Sequence, residues 1–350
     1  MDPYSDWPFD PAPLAGHLAE QGLTLDPTVP AERFSGGLAN LNYRITVDGR
    51  PVVLRRAPSG PLPPGAHDMA REHRVLSRLA SAYALAPRSM LLCADPNILG
   101  APFQLIEYRA GRTVRGADVD ALHAGEDLPG RLCDLLAGAL ADLHRVDPAA
   151  CGLDDLGRPD GFVARTAERW SARTAEIAEG RTEAALAADL GGWLTRHLGG
   201  WRGGDATLLH CDFKLDNVIL HPDRLQAVAV VDWDMATRGD PLFDLATLLS
   251  YWAEPGDPDC LRGLEQMPTA HPGFPSRQDM ATAYARASGR SLDGLEEMRV
   301  LCLFKLAVVF LQLHARWRSG AIGDERYARF ERLGFDLMQH AWDVARGAAP

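Results

Sequence analysis

Apolar and polar positions follow two different periods along this chain. Between residues 31 and 108 the apolar positions come in short β-rich runs. "NLNYRITVDGRPVVLRR" holds two of them, 42–47 and 51–55, and the dipeptide Asp48-Gly49 between them predicts a tight hairpin turn. After the Pro- and Gly-rich "APSGPLPPGAHD" the period changes. In "MAREHRVLSRL" Glu72, Val75, Leu76 and Leu79 share one helical face. Glu72 therefore sits on or beside a buried stripe, where a carboxylate needs a cation. "APFQLIEYRAGR" then reads as one more strand followed by a Gly-containing connector.

Beyond Gly111 the pattern is mostly helical. Leu132, Leu135, Leu136, Ala139, Leu140 and Leu143 form an amphipathic stripe, 165–198 is Ala-rich, and two long helical patterns lie within 292–346. The longest apolar run, 300–313, is interrupted by Lys305 and Gln312 and is too short to span a bilayer, so it reads as a buried helix. Strand character returns only at 208–234, in "LLHCDFKLDNVIL" and "VAVVDWD". The pattern predicts an α+β protein with an N-terminal extension (1–30), a small lobe of antiparallel sheet plus one helix (31–108) and a larger, mostly helical lobe (109–350). No internal repeat is visible.

Composition narrows the class. A chain of 350 residues with 46% hydrophobic and 24% charged residues has the make-up of a soluble globular protein with room for two lobes. Its net charge of -11 argues against nucleic acid and anionic membrane as partners and mildly favours a cationic small molecule. The six cysteines lack any C-x-x-C pair, so neither a zinc knuckle nor a disulfide scaffold is indicated, and a reducing cytoplasm is the expected compartment. The start, "MDPYSDWPFDPAPL", lacks the basic and apolar regions of a signal peptide. Nothing in the sequence reports the oligomeric state.

The polar insert in "LLHCDFKLDNVIL" carries the chemistry. His210-x-Asp212 is followed by Asn217 and, at the end of the apolar run 227–231, by Asp232. If 218–220 and 227–231 pair as a hairpin, Asn217 and Asp232 share one end of it, beside the loop bearing Asp212. Each residue alone is an ordinary turn or cap residue. Together they offer two carboxylates and an amide oxygen, donors of the kind that suits Mg²⁺ with substrate phosphates, and one of the two carboxylates, Asp212, can be kept apart to receive the proton of an acceptor hydroxyl.

The spacing H-x-D-x-x-x-x-N with a later Asp at a strand end resembles the protein-kinase-like fold. The continuation "VVDWDMATRGDPLFDLATLL" is similar to the aminoglycoside and choline phosphotransferase superfamily. The wider pattern, from "FSGGLANLNYRI" to "DWDMATRGDPLFDLA", most resembles the phosphotransferase-like domains associated with acyl-CoA dehydrogenases; the likeness covers about residues 30–320. The resemblance implies a bilobal fold that uses ATP and Mg²⁺. Asp212 would be the catalytic base, Asn217 and Asp232 the metal ligands, His210 a structural histidine of the loop and Asp244 its support, although Asp244 also reads as a charge at a helix N-terminus. Ser35, Gly36 and Gly37 would form the turn over the phosphates, with Ala39 standing where the branch often has Ser. Arg55 would take the place of the phosphate-binding Lys and pair with Glu72, with Arg56 as the alternative in that register; Arg and Lys are not interchangeable there. Glu107 and Tyr108 would present backbone groups to adenine.

These readings converge on an ATP- and Mg²⁺-dependent O-phosphotransferase acting on a small-molecule hydroxyl. The acceptor would be a hydroxy acid or hydroxyacyl-CoA, which needs a basic patch in the large lobe, or an aminoglycoside or amino alcohol, which suits the acidic balance. Two other classes remain: a catalytically silent nucleotide-binding module, suggested by Arg55 and the irregular Gly turn, and a metal-dependent hydrolase ligating through His210, Asp212 and Asp232. Protein-kinase activity is disfavoured by the lack of A-P-E and of room for an activation loop. The helices at 165–198 and 290–346 are the expected walls of the acceptor site. Trp170, Trp193, Trp201 and Trp252 read as core more readily than as its lining.

Overall fold

The computed structural model describes residues 7–34, 40–57, 68–116, 118, 127–264, 266–321 and 323–349. After helix α1 (Ala12–Glu20) come β1 (Glu32–Arg33), β2 (Leu41–Val47), β3 (Arg50–Arg56), α2 (Met69–Leu79), β4 (Ser89–Cys93), α3 (Pro96–Leu99) and β5 (Phe103–Glu107). The strands form one antiparallel sheet in the order β1-β2-β3-β5-β4. The hairpin predicted from Asp48-Gly49 joins β2 to β3, and both turn residues adopt positive φ, 48° and 69°, the geometry that lets a two-residue loop follow the strand twist. Tyr43, Ile45 and Val47 alternate inward and pack with Leu54, Phe103 and, from the N-terminal segment, Trp7, Leu14, Leu18 and Leu25. The segment 7–25 thus shares one hydrophobic cluster with the sheet.

Helix α2 starts where the Asp68 side chain accepts the Arg71 N–H at 3.0 Å. Its stripe of Val75, Leu76 and Leu79 belongs to a second, larger cluster that continues through the helical part of the molecule. One helix therefore ties sheet and helices together.

The helical part comprises α4 (Leu128–His144), α5 (Phe162–Ala178), α6 (Ala184–Leu198), α7 (Leu242–Ser250), α8 (Asp259–Arg262), α9 (Arg277–Ser288), α10 (Leu295–Arg318) and α11 (Phe330–Ala345). The Ala-rich 165–198 segment is divided near Gly180, whose φ is 73°. Helix α10 is long and apolar enough to cross a membrane, yet 78% of its most apolar window is buried inside the protein, as befits a core helix. Four short strands interrupt the helices: β6 (Thr207–Leu209) pairs with β9 (Thr237–Gly239), and β7 (Val218–Leu220) with β8 (Ala227–Val230). The first pair clamps the ends of the segment 210–236, and the second folds its middle back on itself.

Candidate active site

The β7–β8 ladder brings the motif together as its spacing suggested. Val218 pairs with Val230, and Val231 donates its N–H to the Asn217 carbonyl at 2.9 Å, so Asn217 and Asp232 lie at the same end. The Asn217 amide reaches across the loop, donating to the Asp212 carbonyl at 2.9 Å and to its carboxylate at 3.1 Å. The Asp212 and Asp232 side chains keep 24% and 34% exposure, open enough to meet a ligand, whereas their neighbours Arg55 and Lys214 keep only 9%.

Cys211 and Asp232 both lie in the left-handed region, at φ 66° and 72°. Non-glycine residues resist that conformation, and the surroundings must hold them there. Asp244 at the start of α7 accepts the His210 and Cys211 N–H groups, both at 2.7 Å. Burial alone would raise the pKa of this carboxyl, but His144 and the His210 N–H outweigh it and hold it below the usual range. The His210 ring accepts the Asp212 N–H at Nδ1 (3.2 Å), which leaves Nε2 to donate to the Val231 carbonyl at 2.9 Å. Burial lowers the pKa of this imidazole, in keeping with a neutral ring. With both nitrogens spent, His210 cannot ligate a metal, which removes the hydrolase constellation of His210, Asp212 and Asp232.

From the sheet side, Arg55 on β3 donates through Nε to Glu72 at 2.7 Å, through Nη1 to Asn42 at 3.3 Å and through Nη2 to Asp232. Arg56 turns the other way, onto the Leu99 carbonyl, so the register is settled in favour of Arg55. Glu72 also accepts Gln104 Nε2 at 2.6 Å and the Trp233 N–H at 3.1 Å. Burial raises the Glu72 pKa, with Arg55 as the main opposing influence. The expected turn at Ser35, Gly36 and Gly37 lies outside the described residues.

Of the backbone groups expected to face adenine, the Glu107 N–H is already engaged. Because β5 extends through Glu107, its N–H is spent on the Arg88 carbonyl at 2.8 Å, and its carboxylate is held by Arg109 and the Arg88 N–H. That N–H is not available to a purine. Tyr108, just past the strand, lies parallel to Phe34 with ring centroids 6.3 Å apart.

Sequence reasoning overlooked three charged residues here. Lys214 is buried with its ammonium on the Asp212 carboxylate and 3.7 Å from Asp216. Burial disfavours its charge, but Asp212 and Asp216 more than compensate and raise its pKa. Asp216, also buried, is pushed up to about 6 by desolvation. Asp234 is pushed up to about 8, first by burial and then by the adjacent negative charge of Asp232. The signal was present in "HCDFKLDN" and "DWD", but which of these side chains face one another depends on the loop's path.

Among the described residues no cluster of three or more His, Cys, Asp or Glu is arranged to hold a metal unaided. The Asn217 amide and the Asp232 carboxylate, with the Asp234 carboxyl nearby, fit a hard cation that takes few protein oxygens and completes its shell with phosphate and water.

Beside the motif, Asp216 and Arg115 open onto a cleft lined also by Gln266, Phe310, Arg326 and Arg329. Residues of α10 and of the turn before α11 line the cleft, but α5 and α6 pack behind α10 and α11 and contribute nothing to it. None of Trp170, Trp193, Trp201 and Trp252 lines it; Trp170 and Trp252 are buried in the core, and the other two pack against it.

The chain matches the model of the phosphotransferase enzyme family over residues 30–280. It is 30% identical over 318 residues to acyl-CoA dehydrogenase family member 10 of Mus musculus, a match covering 89% of this chain and 29% of that protein, so the chain spans about a third of this relative's length. Among solved structures, a Ralstonia eutropha JMP134 protein assigned as an aminoglycoside phosphotransferase superposes with a TM-score of 0.76 at 24% identity, over 98% of this chain and 100% of the other. Aminoglycoside phosphotransferase APH(4)-Ia, solved with AMP-PNP and hygromycin B, gives 0.58 at 17% identity, over 96% and 97%. The architecture is the kinase-like α+β fold of these proteins.

Removing one partner of the buried pair should be costly. Glu72→Ala leaves the Arg55 guanidinium without its main counter-charge and orphans Gln104 and the Trp233 N–H, so unfolding by urea should show a loss of about 3–5 kcal/mol. A loss below about 1 kcal/mol, the range of exposed ion pairs, would mean that Glu72 does not fix the sheet to the helical part.

Proposed function

The chain belongs to the phosphotransferase enzyme family, and from that premise we propose that it transfers the γ-phosphoryl group of ATP to a hydroxyl of a small molecule. The observation that carries this reading is the convergence of Asp212, Asn217 and Asp232 from the helical part with the Arg55–Glu72 pair from the sheet. In this reading Asp212 accepts the proton of the acceptor hydroxyl as its oxygen bonds to phosphorus and the bond to the leaving ADP oxygen breaks. Lys214 pairs with the Asp212 carboxylate and holds positive charge beside the group in transfer. Arg55, aimed by Glu72, binds phosphate oxygens, and Asn217 and Asp232 would hold Mg²⁺. Bound there, Mg²⁺ supplies neutralisation of charge between the terminal phosphates. The protein's own work is positioning and electrostatics.

For the acceptor, the cleft beside Asp216 favours an anion. Arg115, Arg326 and Arg329 line it with Asp216, Arg115 facing Asp216 at 3.8 Å and Arg326 paired with Asp324, and Phe310 and Phe330 form an apolar wall. Arginine forks suit carboxylate and phosphate, so a hydroxy acid or hydroxyacyl thioester fits better than an aminoglycoside or amino alcohol. The acyl-CoA dehydrogenase name of the mouse relative supports the same class.

Asp212→Asn should lower kcat by roughly 10²–10⁴-fold, the usual worth of a general base, with Mg·ATP affinity kept. Asp232→Ala should abolish Mg²⁺-dependent nucleotide binding, read by calorimetry with and without the metal. Undiminished turnover in Asp212→Asn would remove the mechanism. ADP release measured across hydroxyacyl-CoAs, free hydroxy acids, aminoglycosides and choline-like alcohols should respond to the first two classes. Response to amino alcohols alone would reverse the acceptor assignment. ATP binding without any turnover would leave the silent nucleotide-binding module as the better account.

A further inference from the structure

Lys305 is a cation where the chain can least tolerate one. It interrupts the most apolar stretch of α10, is 7% exposed, and lies over the Phe243 ring at 5.1 Å. Among the described residues no carboxylate lies within ion-pair distance of it; its one hydrogen-bond acceptor is the Cys211 carbonyl at 2.5 Å. A buried ammonium without a counter-ion costs several kcal/mol, so a position that keeps one calls for a use.

The bonds around Cys211 supply it. The carbonyl held by Lys305 belongs to the peptide joining Cys211 to Asp212, whose N–H is given to His210 Nδ1 at 3.2 Å. The N–H of the preceding peptide is held by Asp244 at 2.7 Å. Cys211 sits at φ 66°, a conformation a non-glycine residue keeps only where its flanking peptides are held, one here by Asp244 and the other by Lys305. Without Lys305 the carbonyl would be buried and unpaired, and rotation would re-aim the Asp212 side chain.

We propose that Lys305 is a positioning residue, which fixes the Cys211–Asp212 peptide and so sets the direction of the Asp212 carboxylate. This rests on Asp212 being the base in the reading above. Lys305 touches neither nucleotide nor acceptor in this arrangement, so its removal should act on kcat and leave nucleotide binding alone. Phe310, further along the same helix, lines the acceptor cleft, so α10 links the cleft wall to the base.

The test compares Lys305→Met, which keeps an unbranched apolar stem and loses the donor, with Lys305→Gln, of the same reach as Met, which keeps a neutral donor one bond short of the ammonium. In Lys305→Met, hydrogen exchange across 208–216 should accelerate, and kcat should fall roughly 10–100-fold, the scale of a misplaced catalytic group. The Kd for Mg·ATP should stay within about twofold, as for loss of an interaction that acts only on the transition state. Lys305→Gln should fall between the variant and the unmodified protein. If Lys305→Met does not fold, Lys305→Gln alone decides, by faster exchange and lower kcat at unchanged nucleotide affinity. Exchange and kcat like the unmodified protein, or nucleotide affinity falling in step with kcat, would overturn the proposal. Asp212→Asn run in parallel separates the two claims. Turnover lost there but kept in Lys305→Met sinks only the positioning role, and turnover insensitive to Asp212→Asn sinks both.

Discussion

The site depends on one buried carboxylate. Glu72 receives Arg55 from the sheet, Gln104 from the neighbouring strand and the Trp233 N–H from the segment that carries Asp232. A charge that far from water is tolerable only while its partners stay in place, because losing one leaves another unpaired in a medium that screens little. The position of α2 follows from this. Its apolar stripe is buried against the helical core while its carboxylate reaches the sheet, so one short helix carries both a packing and an electrostatic tie. Arg55 then stands at a fixed distance from Asp232, on the opposite side of the junction between the two parts of the molecule.

A second constraint acts on the backbone. Cys211 and Asp232 hold left-handed conformations that their side chains disfavour, and both lie next to residues on which the chemistry would turn. The restraint comes from side chains distant in sequence: Asp244 from α7, Lys305 from α10 and His210 within the loop. Through Nε2, His210 also grips the Val231 carbonyl, tying the Asp212 loop to the strand end that bears Asp232. The network extends outward, since His144 contacts Asp244 at 3.3 Å and Tyr284 at 2.7 Å. Helices α4, α7, α9 and α10 therefore all bear on two peptide planes.

What could be read from the sequence was what repeats with a local period or a fixed short spacing. The Asp48-Gly49 hairpin, the α2 face that buries Glu72 and the Asn217–Asp232 end of the β7–β8 pair all arise from residues close in sequence or from one regular ladder. Strands β6 and β9 escaped notice because three residues cannot display an alternation, although they close the catalytic segment. Strand β4 was missed for a related reason: "SMLLC" has no polar alternation to mark it, and its register with β5 is shifted. That the Glu107 N–H is spent on Arg88 could not be read either, because nothing local marks how far a strand's hydrogen bonding continues. Lys305 was noticed only as a break in an apolar run, and its carbonyl partner lies 94 positions away. The cleft beside Asp216 is assembled from four separate stretches, near 115, 216, 266 and 310–330, so no spacing could announce it.

Net charge is a poor guide to such a cleft, for a physical reason. The excess of acidic residues, -11 over the whole chain, spreads across the surface, where salt screens charges beyond roughly 8 Å at physiological ionic strength. A small ligand in the cleft would respond instead to the groups that wall it, and those are largely paired with one another. Asp216 faces Arg115 at 3.8 Å and Lys214 at 3.7 Å, and Arg326, on the segment before α11, is held by Asp324, so the field in the cleft is set by such pairs and not by the total.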